Sequence, residues 1–117
     1  MTPEGNLVAY LCKRAKAEGF RVRKLSYEGR HGAPDRLILA PGAAVFVEVK
    51  APGQRPRPEQ TRELAIFNDS GLHACWVASK EDIDSVLTEL SLRSWHTLEE
   101  ALDGEGKTDK VTTEEEA

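Results

Sequence analysis

Cysteine is nearly missing from this sequence. Of 117 residues only Cys12 and Cys75 carry thiols, and they stand 63 positions apart with no second pair nearby. That spacing excludes a disulfide framework and a tetrahedral zinc site built from cysteine pairs. His73 and Cys75 share one strand face but lack the two further spaced ligands a soft metal would need. Long apolar runs are missing too, since none approaches the roughly 20 residues of a membrane-spanning helix. The opening Met1-Thr2-Pro3-Glu4-Gly5-Asn6 has neither the basic stretch nor the apolar segment of a secretory signal, which predicts a cytoplasmic chain. There is no internal repeat. With 39% apolar and 31% charged residues at this length, a single modest core is expected.

The net charge of -4 is an average over unlike parts. Through residue 92 there are 13 Lys/Arg and 12 Asp/Glu, whereas from residue 93 onward 3 basic residues face 8 acidic ones. Residues 13–62 alone hold 12 basic and 5 acidic residues, a surplus that suits either a polyanion or a solvated surface. The expected organisation is a compact unit over residues 1–92, then a short helical extension over 93–104. The capping-box pattern Thr97-Leu98-Glu99-Glu100 opens that extension. Residues 105–117 form an acidic tail without periodicity, expected to be disordered.

Thr2-Pro3-Glu4 reads as an N-cap, a first-position proline and a dipole-favoured acid. With Val8, Leu11, Cys12 and Ala15 at helical spacing, it predicts a helix over 3–18 that stops at Gly19. Alternation predicts a strand over 20–27, and glycines and Pro34 make 28–34 a loop. Strands over 35–40 and 44–50 flank the turn Pro41-Gly42, and the second of these is apolar enough for a central position. Residues 51–58, with three prolines and two arginines, form an extended basic loop. Pro58 opens a helix whose Leu64 and Phe67 point one way and which Gly71 closes. A strand over 73–78 and a helix over 81–92, with Ile83, Val86, Leu87 and Leu90 on its stripe, complete an α/β fold with a mixed sheet flanked by helices.

The chemistry lies in charges carried on strands. In Ala44 to Lys50, alternation places Val45, Val47 and Val49 on one face and Phe46, Glu48 and Lys50 on the other. A buried carboxylate must meet a cation, so Glu48 either pairs internally with Lys50 or faces a metal. Asp35 favours the second reading. If its strand forms a hairpin with the next, two carboxylates converge, and like charges at close range call for a hard cation such as Mg²⁺ or Mn²⁺ between them. Two helix positions look toward the same place. Gln60 precedes Leu64 and Phe67 on their stripe, and Glu4 stands likewise before Val8 and Leu11. Gln60 also reads as an ordinary first-turn residue and Glu4 as dipole compensation. Trp76 and Trp95 read as either core or dimer-interface residues.

Gly32-Ala33-Pro34-Asp35, then Glu48-Val49-Lys50, then Pro58-Glu59-Gln60 resembles the PD-(D/E)xK nucleases, and among them the virus-type replication-repair nuclease (VRR-NUC) family. The resemblance covers roughly residues 4 to 78. It implies a restriction-endonuclease-like core with element order αβββαβ and a C-terminal helix. It also implies metal held by Asp35, Glu48 and the backbone carbonyl of Val49, with Glu4 assisting. By the same resemblance Lys50 is the catalytic lysine and Gln60 the motif glutamine. Small stand-alone members of that family are phage or prophage proteins acting in a bacterial host. The expected activity is therefore a Mg²⁺- or Mn²⁺-dependent endonuclease that resolves four-way DNA junctions as a homodimer. The alternatives are a flap or general structure-specific nuclease, or a DNA-binding module on the same fold that does not cut. Arg30, His31 and Arg36 around the first carboxylate, with Arg55 and Arg57 on the loop to Gln60, are expected to position DNA phosphates rather than read bases.

Overall fold

The computed structural model describes residues 1–94. The helix expected over 97–104 and the acidic stretch over 105–117 lie outside the described residues. Helix α1 spans Pro3–Ala17 and begins as its sequence dictates, with the Thr2 hydroxyl accepting from the Gly5 N–H at 3.0 Å and proline in the first turn. Strand β1 (Arg21–Lys24) follows, then β2 (Arg36–Ala40), β3 (Ala43–Val49), α2 (Pro58–Asp69), β4 (Ala74–Val77) and α3 (Lys80–Arg93). Within the described residues the expected elements are present in the expected order. Among the described residues, no helix is long and apolar enough to cross a membrane.

The four strands lie in the order β1-β2-β3-β4, antiparallel except for the parallel pair β3 and β4. Helix α2 makes the crossover that a parallel pair requires. Strand β1 is half the length that its alternation predicts. It pairs with only four residues of β2, from Arg21 opposite Leu39 to Lys24 opposite Arg36. Beyond Lys24 one backbone bond continues the ladder, from the Leu25 N–H to the Asp35 carbonyl at 3.1 Å. The glycine loop then carries the chain away.

The sheet separates two environments. Val45, Val47 and Val49 join Leu7, Leu11 and Ala15 of α1, together with Ile83, Leu87 and Leu90 of α3, in one aliphatic core. On the outer side of that pair of helices, Asp84 of α3 accepts from the Tyr10 hydroxyl at 2.8 Å and from Arg14 Nε at 3.2 Å. The opposite face of β3 carries Phe46 and Glu48 toward α2. There Phe46 meets Phe67 edge-on, with ring centroids 4.5 Å apart.

Candidate active site

Strand β2 begins one residue later than expected, and the reason builds the site. Its last ladder pair with β3 is Arg36 opposite Val47, so Asp35 stands opposite Glu48 as the strands part. The Val49 N–H, pointing toward β2, has lost its backbone partner there. A buried N–H must be satisfied, and Asp35 Oδ2 accepts from it at 2.8 Å. In an extended strand a residue's carbonyl points to the same side as its N–H, so the Val49 carbonyl faces the gap that Asp35 opens.

Glu48 is the deepest charge in this region, with only 3% of its side chain exposed. Its Oε2 meets Lys50 Nζ at 3.3 Å and accepts from Gln60 Nε2 at 2.9 Å. The internal ion pair weighed from the sequence therefore exists. It does not satisfy the carboxylate, because Oε1 is buried without a hydrogen-bond partner. Burial pushes the Glu48 pKa above the ordinary carboxylate range. The negative charge of Asp35 and, more weakly, that of Glu4 push in the same direction, against the pull of Lys50.

Gln60 is fixed at both ends. In the first turn of α2 its Oε1 accepts from the Arg57 N–H at 2.8 Å, the reciprocal half of a capping box, while its Nε2 donates to Glu48. Only an amide can do both, since a glutamate would set a second acceptor against a carboxylate. Pro58 in the first turn of α2 and the extended loop before it set the position from which Gln60 reaches β3.

The Gly-Ala-Pro-Asp segment is held from the same helix. Gly32 adopts φ +99°, and a Cβ there would lie 3.1 Å from the Glu59 carbonyl of α2, so the loop's close approach requires glycine. Pro34 is fully buried, which anchors Asp35.

Two residues that sequence reasoning missed complete this junction. Glu63, buried on α2, accepts from the Tyr27 hydroxyl at 2.7 Å and faces Arg30 at 3.8 Å. Burial and that bond together push the Tyr27 pKa up to about 12. The available signal was helical spacing, since Glu63 follows Gln60 by three positions on the stripe it shares with Leu64 and Phe67.

Asp35, Glu48, Val49, Lys50 and Gln60 are thus brought together where β2 and β3 part. Glu4 is exposed in the first turn of α1 and reaches Glu48 only through its charge. Arg30 is tied to Glu63, while His31, Arg55 and Arg57 are exposed on the two loops beside α2. Arg36 stands apart. It faces the same side as Val47, and its guanidinium donates to the Asp35 carbonyl at 2.9 Å. Trp76 is not core: it is 41% exposed on β4. Trp95 lies outside the described residues.

Among the described residues no three His, Cys, Asp or Glu side chains close into a metal-holding cluster. Two carboxylates and a backbone carbonyl nevertheless suit a hard ion that keeps most of its waters, and they do not suit zinc. The free Glu48 oxygen is the feature that such an ion would satisfy.

Paired acids at parting strands, with a lysine two residues beyond the second acid, define a nuclease of the PD-(D/E)xK type. A phage protein of Acyrthosiphon pisum secondary endosymbiont phage 1, "Putative nuclease p44", is 38% identical over 85 residues, which cover 72% of this chain and 90% of the relative. A solved VRR_NUC domain superposes with a TM-score of 0.71 at 42% identity, over 75% of this chain and 97% of that one. A second solved structure, a VRR_NUC domain protein, shares the fold with a TM-score of 0.68 at 17% identity, over 80% of this chain and 91% of its own. No family model matches the chain. On these relatives, the chain belongs to the VRR-NUC family of nucleases.

Proposed function

We propose that this nuclease is a divalent-metal-dependent DNA endonuclease that hydrolyses phosphodiester bonds by attack of water and resolves four-way junctions as a two-fold dimer. The observation that carries the metal requirement is Glu48 Oε1, a buried carboxylate oxygen without a partner, within the negative field of Asp35 and Glu4. Asp35, Glu48 and the Val49 carbonyl would hold Mg²⁺ or Mn²⁺, with Glu4 contributing through its charge or through a water. When bound, such an ion supplies Lewis-acid polarisation of the phosphate and eases deprotonation of water.

The chain's own residues do the rest. Lys50, 14% exposed and held against Glu48, offers an ammonium where negative charge grows on the phosphate. Gln60 and Lys50 keep Glu48 Oε2 occupied, which leaves Oε1 as the carboxylate oxygen free for an ion. Arg30, His31, Arg55 and Arg57 flank the opening and suit phosphate contacts, which predicts weak sequence preference and steep loss of binding with salt. One centre per chain cuts one strand, so symmetric resolution of a junction needs two copies.

The test offers purified protein a four-way junction, a 5′ flap and a linear duplex with Mg²⁺ or Mn²⁺. Paired symmetric nicks confined to the junction, lost on chelation and in Asp35→Asn or Lys50→Ala, support the proposal. Nicking at the flap alone assigns a flap nuclease. Binding without cutting under either metal assigns a non-cleaving DNA-binding module.

A further inference from the structure

We propose that Trp76 is a stacking platform for an unpaired nucleobase next to the phosphate being cut. The observation is one of register. Trp76 of β4 lies opposite Glu48 of β3, and Asp35 stands opposite Glu48 from the β2 side. Residues in register across neighbouring strands share a face, so Asp35, Glu48 and Trp76 form one row across the sheet at strand spacings of about 4.8 Å.

The other aromatics of this face, Phe46 and Phe67, are spent on each other. Trp76 alone in that row keeps a large part of its surface open, 41%, on a strand at the edge of the sheet. A nucleic-acid strand laid along the row, with a phosphate at the acids, brings a neighbouring base over the indole. Every base has a π-face, so stacking there needs no sequence preference, but it does need a base free of its duplex neighbours. A protein partner is the poorer occupant. A stable interface covers about 800 Å² per side, and one centred on this indole would also cover the acids in the same row.

This inference rests on reading the Asp35–Glu48 pair as the cutting centre, and the experiment separates the two. In a Trp95→Phe background Trp76 is the sole indole, and a short single-stranded oligonucleotide labelled for anisotropy is titrated in EDTA. Quenching of indole emission in step with binding is expected, together with weaker quenching by blunt duplex. Trp76→Ala should weaken oligonucleotide binding and raise KM on branched DNA, each about 10-fold. Trp76→Phe should recover most of the loss. The dependence of binding on salt should stay as steep as in the unmodified chain, because no phosphate contact is removed. Unquenched emission during binding overturns the proposal, as does unaltered affinity in Trp76→Ala. It is equally overturned if Trp76→Ala turns a sedimenting dimer into monomer while Trp76→Phe does not, which assigns the indole to a protein interface. Retained cleavage in Asp35→Asn would instead overturn the cutting centre, and it leaves the quenching result to be read by itself.

Discussion

The two faces of β3 differ by one residue of phase. Val45, Val47 and Val49 enter an aliphatic core closed by α1 and α3, where every contact is apolar and interchangeable within limits of volume. Phe46 and Glu48 enter a face covered only by α2, which opens at the end where β2 and β3 part. There, beyond the Phe46–Phe67 pair, the contacts of the acids are polar, directional and singular: one N–H for Asp35, one amide and one ammonium for Glu48. The first face therefore carries most of the stability and the second most of the chemistry. Substitutions should divide accordingly.

The largest effect is expected at Asp35. Asp35→Asn should lower cleavage by about 10³-fold or more while leaving the unfolding midpoint nearly unchanged, because asparagine still offers an oxygen to the Val49 N–H. Parallel loss of rate and stability would show that the polar face also holds the fold. Leu87→Ala is the converse. It should cost about 2–5 kcal/mol in urea unfolding, with the rate per folded molecule unaltered. Gln60 lies between the two kinds. Gln60→Ala should cost about 1–3 kcal/mol and also slow cleavage, since one change uncaps α2 and frees Glu48. Gln60→Glu should be worse than alanine, by placing like charge against Glu48.

A smaller effect is read through pH. The Glu48 pKa is raised, so the group favours folding most below the ordinary carboxylate range, and that contribution is lost as pH rises through the raised value. Affinity for Mn²⁺, followed by calorimetry, should therefore weaken on acidification with a midpoint above the ordinary carboxylate range. The smallest effect is alkaline. In a Tyr10→Phe variant the absorbance of ionised tyrosine should rise near about 12. What the neutral Tyr27 hydroxyl contributes is present below the ordinary tyrosine value and fades as pH approaches about 12.

Much of this was legible in the chain because the informative residues sit on regular elements. Alternation through β3 separates Glu48 from its valine neighbours, and helical spacing places Gln60 with Leu64 and Phe67. What was not legible depends on register between strands. That Asp35 would take up the Val49 N–H follows only once β2 is known to start at Arg36. The same holds for the row that ends in Trp76. Tyr27 and Glu63 were hidden for another reason. A glutamate in a helix ordinarily reads as a solvent residue, and its partners lie in a loop whose path depends on the close approach of Gly32 to α2.

The side chain of Gln60 ties the start of a helix to the carboxylate of a strand. Helix ends fray at lower free energy than core strands open, and here the fraying end holds Glu48 in place. On warming, the nuclease should fall silent while its sheet is still intact, and it should recover on cooling without having to refold.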